Sequence, residues 1–139
     1  MKIKFEIIDI PEVEQLKYPT AYLEGELIIW INGVLFFNQA GILLIEFAIF
    51  INRWLYSIRK DKIIGLNYDS MDNEEPIITL NYVGNELYRI HSIWQETEIF
   101  DLLRIEDIVC EFELFLDNLE KELKFKTGIE LKKILKEAH

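Results

Sequence analysis

The sequence predicts an α+β fold, a mainly antiparallel sheet of about six strands packed against two long helices with a short C-terminal helix, in the order β-β-β-α-β-β-β-α-α. Three observations predict it. Period-two alternation comes in two runs, tight-turn dipeptides join neighbours within each run, and a long stretch of helical periodicity follows each run. Tight hairpins impose antiparallel pairing, and helices placed after runs of strands are unlike the strict alternation of a parallel doubly wound fold.

Ile3, Phe5 and Ile7 lie on one side of the first segment, with Lys4 and Glu6 on the other, which reads as a half-buried strand ended by Pro11. A longer strand is predicted over Ala21 to Ile31. Leu23, Leu27, Ile29 and Ile31 share one of its faces, and Tyr22, Glu24, Glu26, Ile28 and Trp30 share the other. Asn32-Gly33 supplies the positive φ angles of a type I′ turn, so Val34 to Phe37 returns as the paired strand. Gly41 to Lys60 reads as a helix with a narrow polar stripe, because Glu46, Arg53, Ser57 and Lys60 fall within about 60° of one another. So little polar surface requires cover on more than one side, with Ala48, Ile51 and Leu55 in the core.

Strands are predicted over Ile63 to Tyr68, Ile77 to Val83 and Glu86 to Trp94, with Gly84-Asn85 as a tight turn between the last two. The connection Asp69 to Pro76 is polar and acidic, and its proline marks the start of the next strand. Ile105, Ile108, Val109, Phe112, Leu116, Leu119 and Leu123 recur at spacings of three and four, one apolar stripe of a helix over Ile105 to Phe125. Gly128 stops it, and Ile129 to Ala138 forms a short basic helix with Leu131, Ile134 and Leu135 facing inward.

With 139 residues, half of them apolar, the chain fits one compact domain, residues 1–139, with a buried core. No serine-rich, glutamine-rich or repeated stretch marks a linker. The opening MKIKFEIIDI lacks the apolar run of a secretory signal. The most apolar stretch, Ile42 to Ile51, is interrupted by Glu46 and falls well short of the ~20 residues a membrane span requires. The single cysteine, Cys110, has no disulfide partner, which fits a reducing compartment and points to the cytoplasm.

The formal net charge is −10. It is unevenly spread: Asp69 to Glu120 carries fourteen acidic residues against Arg89 and Arg104, whereas Lys121 to His139 carries six lysines against three glutamates. Such a field excludes nucleic acid and anionic membranes as partners, since both are held by Lys and Arg neutralising phosphates. It serves either a basic protein partner or simple solubility.

The residues that could carry chemistry are few. His91 and His139 are the only histidines, too few for a zinc set. Asp69, Asp72, Glu74 and Glu75 are oxygen ligands suited to calcium, but their spacing is not that of an EF-hand loop. Cys110 has no histidine near it in sequence, and neither a nucleophile elbow nor a phosphate-binding glycine loop occurs. Glu24 and Glu26 share a strand face but are two carboxylates among many. His91, beside Arg89 and Leu87, reads as a partly buried, hydrogen-bonded side chain. The sequence therefore predicts no catalytic residue, no metal and no cofactor.

More informative are apolar residues on faces expected to be wet. Leu103, Cys110 and Leu114 lie opposite the main stripe of the second long helix, and Ile28 and Trp30 share the face of Glu24 and Glu26. Each set is either buried by other elements of a two-sided sheet or part of a contact surface, for which Glu106, Glu111, Glu113 and Asp117 supply a charged rim. The expected partner-binding residues are Asp69, Asp72, Glu74, Glu75, Leu103, Glu106, Cys110, Glu113, Leu114 and Asp117.

Four segments, EGELIIWINGVLFF, EFAIFINRWL, SMDNEEPI and HSIWQ, resemble a family of small Gram-positive bacterial proteins built on a domain of unknown function. That resemblance implies a single cytosolic domain and no activity. In size, charge and element order the chain is also similar to small acidic immunity proteins that neutralise toxins. The function expected is a non-enzymatic protein-binding module, an immunity protein or inhibitor being the form considered, acting on a basic partner through an acidic face. The alternatives are a structural or regulatory homo-oligomer, and a small-molecule binder or enzyme with a pocket near Trp94, Gln95 and His91.

Overall fold

A computed structural model describes residues 1–9, 17–61, 63–69 and 73–138. Its first sheet holds β1 (Lys2–Asp9), β2 (Glu24–Ile31) and β3 (Val34–Leu43), antiparallel and in that spatial order. The period-two pattern is borne out in β2, where Leu23, just ahead of the strand, and Leu27, Ile29 and Ile31 within it are fully or almost fully buried. Asn32 and Gly33 both take positive φ, 49° and 79°, as the type I′ turn requires. A helical turn, α1 (Pro19–Tyr22), occupies the start of the longer strand expected from Ala21. Pro19, with its fixed φ, favours that helical turn at its first position. The proline expected to end β1, Pro11, lies outside the described residues.

β3 continues to Leu43 and passes directly into α2 (Leu44–Ile58), so the helix begins later than the sequence predicts. Ala48, Ile51 and Leu55 are buried as expected, along with Phe47, Trp54 and Ile58. The second sheet follows: β4 (Leu66–Tyr68), β5 (Ile78–Gly84), β6 (Leu87–Ser92) and β7 (Leu103–Arg104), again antiparallel in sequence order. The long helix α3 (Ile105–Thr127) ends at Gly128, whose φ is 72°, and α4 (Leu131–Glu137) buries Leu131 and Leu135.

Thus the α+β class stands, but the single sheet of about six strands is corrected to two sheets, of three and four strands, with four helices among the described residues. Hairpin signals specify pairing within a hairpin; they carry no information on whether two hairpins share an edge. Here α2 intervenes, and a main-chain bond from Glu96 N–H to the Phe36 carbonyl (2.8 Å) ties the segment after β6 to β3. One buried apolar cluster draws on both sheets and on α2, α3 and α4.

Two smaller corrections have physical causes. The strand expected from Ile63 begins only at Leu66, because the Ile64 carbonyl accepts from the Trp54 indole (3.0 Å) and the Tyr88 hydroxyl (2.9 Å) instead of from a ladder. The second hairpin turn is displaced by one residue: β5 includes Gly84, and Asn85 and Glu86 form the turn with φ of 52° and 60°. At the far side of the core, aromatic rings link the layers. Phe115 meets both Phe5 and Phe47 edge-on, while Trp54 meets Tyr88 and Phe112.

Candidate functional site

The ring pairs Phe47–Phe115 and Trp54–Phe112 set α2 and α3 antiparallel, with the C-terminal end of α2 beside the start of α3. The seam between them opens to solvent as two adjoining hollows of about 530 and 410 Å³. Leu55, Arg59 and Glu113 line both, so the hollows form one groove. Its floor is apolar: Leu55 and Ile58 are buried, and Val109 and Leu116 are half-buried.

The rim follows from helix periodicity. Glu106, Cys110, Glu113 and Asp117 recur at three and four along α3, so they share the face turned toward α2. All four are exposed. Glu86, from the β5–β6 turn, adds a fifth side chain, and its carbonyl accepts the Ile105 amide at the start of α3 (2.9 Å). From α2 come Asn52, Tyr56 and Arg59. Lys60 donates to the Tyr56 hydroxyl (3.0 Å) and stands 4.5 Å over its ring, which pushes that phenol below its ordinary pKa. Four carboxylates thus face one guanidinium across an apolar floor.

The structure therefore brings together Glu106, Cys110, Glu113 and Asp117 and separates the other expected residues from them. Leu103 is a correction. It precedes the helix, pairs with Tyr88 on β7 and is only 4 % exposed, so it belongs to the core. Leu114 is 52 % exposed on the solvent side of α3, one turn beyond Cys110. Asp69, Glu74 and Glu75 are exposed on the β4–β5 connection, away from the groove lining, and Asp72 lies outside the described residues. Glu111 faces the other way and accepts the Ile3 amide of β1 (2.7 Å).

The groove residues that sequence reasoning missed are those of α2 and Glu86 of the β5–β6 turn. Asn52, Tyr56 and Arg59 form a second polar line beside the expected stripe, and only the placement of α3 shows that they border a groove. Val109 and Leu116 count as core by spacing and turn out to be its half-buried floor.

Ile28 and Trp30 are half-buried on the outer face of the first sheet, where Lys4 lies 5.6 Å from the Trp30 ring. His91 is exposed, opposite Thr79, which corrects the expectation of a partly buried histidine. A cleft of about 370 Å³ does adjoin Trp94, lined also by Glu24, Glu46, Tyr68 and Asn73, but His91 and Gln95 are not among its lining residues. Burial, and secondarily the Glu46 carboxylate, raise the Tyr68 phenol well above its ordinary pKa. Among the described residues no cluster of three or more His, Cys, Asp or Glu is placed to hold a metal, and no helix is long and apolar enough to cross a membrane.

Residues 2–125 match the family model described as a domain of unknown function (DUF7878). No curated protein and no solved structure matches the chain.

Proposed function

The chain belongs to the DUF7878 family, and since that description carries no activity, we propose from its surface that it is a non-enzymatic module binding a basic protein segment in the α2–α3 groove. One observation carries the reading: Glu86, Glu106, Glu113 and Asp117 surround a floor of Leu55, Ile58, Val109 and Leu116. An apolar centre with a charged rim is the anatomy of a protein interface. The negative rim selects a positive partner and speeds its approach at low salt.

An amphipathic helix with lysine or arginine on its flanks satisfies both parts, as anchors three or four residues apart enter a helix-lined groove. Such a role is that of an immunity protein or inhibitor occupying a basic surface. A lone thiol on the groove, Cys110, suits a cytoplasmic setting.

The test uses a lysine–leucine amphipathic peptide as probe. Binding is expected to weaken steeply as salt rises, and the Glu113→Lys/Asp117→Lys variant is expected to lose about tenfold or more in affinity while its thermal midpoint stays near that of the parent. Both side chains are exposed, so the fold does not depend on them. Equal affinity of parent and variant would remove the groove from the reading.

A further inference from the structure

Among the described residues β1 is an edge strand of the first sheet, laddered on one side to β2. Its Ile3 amide points away from β2, since it donates to Glu111 Oε1 (2.7 Å). Main-chain groups alternate in direction along a strand, so the amides and carbonyls of Phe5 and Ile7 point outward as well. An open groove of about 470 Å³ runs beside this edge, lined by residues 3–7 and by Asn118, Lys121, Glu122 and Lys126 of α3.

We propose that a second copy of this chain docks on that edge, β1 against β1, antiparallel about a two-fold axis through Phe5. The strand is self-complementary in this register alone among its neighbours. Phe5 meets Phe5, Ile3 meets Ile7, and Lys4 meets Glu6 of the second copy, twice over by symmetry. The residues with outward amides and carbonyls, Ile3, Phe5 and Ile7, oppose one another and close the hydrogen-bonded pairs. Lys4 and Glu6 then occupy the non-bonded pairs, where facing side chains come closest and opposite charges contribute most. Moving the axis to Lys4 or to Glu6 sets like charges face to face. A shift by an odd number of residues turns outward amides toward residues whose groups point inward.

The first sheet carries a second observation that calls for a cation at this place. Within the β1–β2 ladder Glu6 stands directly opposite Glu26, and like charges so placed repel. The second copy sets its Lys4 on the other flank of Glu6 and relieves that repulsion. In the free protein the Glu111 carboxylate takes the Ile3 amide; in the dimer the Ile7 carbonyl of the second copy takes it. One strand pair and its flanking side chains make a small interface, at the lower limit of about 1,200 Å² for specific contacts, so the dimer dissociates readily. This edge is separate from the α2–α3 groove, and neither Lys4 nor Glu6 lines that groove.

Sedimentation equilibrium with a charge-swap cycle tests the proposal. Lys4 and Glu6 are exposed, so the substitutions leave the core intact, and Glu6→Lys also removes the repulsion from Glu26 in the monomer. The parent is expected to dimerise in the micromolar range. Lys4→Glu and Glu6→Lys are each expected to weaken the dimer about tenfold or more, because two favourable pairs become two repulsive ones. The double variant K4E/E6K restores the facing charges and should return the dissociation constant to within about threefold of the parent. Amide exchange at Phe5 should slow with protein concentration in the parent and double variant only. A parent that stays monomeric at about 1 mM, single variants that dimerise like the parent, or a double variant as weak as the singles would overturn it.

Discussion

Gly25 lies where β1, β2 and α2 converge, and a methyl group there would overlap the Glu6 carbonyl and Leu44 Cδ1. Gly25→Ala is therefore expected to destabilise the protein by about 1–3 kcal/mol, measured as a lower denaturant midpoint. Nothing in the local pattern announces this role, because a glycine amid period-two alternation says only that some close approach exists. Glu86 is the converse case. It holds a positive φ of 60° in a turn where Asn-Gly is the favoured pair, and its side chain lines the groove. Glu86→Gly is expected to raise stability by up to about 1 kcal/mol and to weaken binding of the lysine–leucine probe; thermal melts and titration calorimetry check the two halves. Tyr68 gives a pH signature. Burial raises its folded-state pKa above the unfolded value, so above pH ~10 the unfolded chain releases the proton first and stability falls as pH rises. Tyr68→Phe should flatten that alkaline limb, and an unchanged limb would assign it to other groups.

At the scale of elements, α2 is the part that joins everything. Trp54 contacts Tyr88 and Phe112 and donates to the Ile64 carbonyl, so it links α2 to the second sheet and to α3 at once. Trp54→Ala is expected to cost about 3–5 kcal/mol, read from chemical denaturation, with a larger loss of order around residues 63–66 than in the first hairpin. The hairpins, both long helices and the stop at Gly128 were legible because each rests on local periodicity or turn chemistry. The two-residue strand at Leu103–Arg104 was not, since two residues carry no period, and its neighbour Ile105 begins the helix without a side-chain cap. Leu103 stands two residues before the helix start expected and found at Ile105, so extending the helix face back to it placed it on the wrong surface. Cys110, Glu113 and Asp117, well inside the helix, kept their face. The charge of α3 also has an element-scale component: Glu106 and Asp107 sit at its positive end, and Lys124 and Lys126 at its negative end, as the helix dipole favours. Glu113 and Asp117 lie beyond the first turn, where the dipole gives no reason for them.

Over the whole molecule, the acidic middle of the sequence is spread over separate surfaces. Glu106, Glu113 and Asp117 of α3 gather on the groove, Glu111 turns to β1, and Asp69, Glu74 and Glu75 stay on the β4–β5 connection. Linear charge counting merges these surfaces, because it has no means of seeing which segments the fold sets side by side. Binding at the groove and at the connection would give different maps on the molecule. The decisive measurement is an amide chemical-shift titration of the labelled protein with the lysine–leucine peptide at low salt. The expected perturbations fall on residues 52–59 of α2, on residues 105–117 of α3 and at Glu86. Perturbations confined to the β4–β5 connection, or none at all, would contradict the claim that the groove between the helices is where this protein meets its partner.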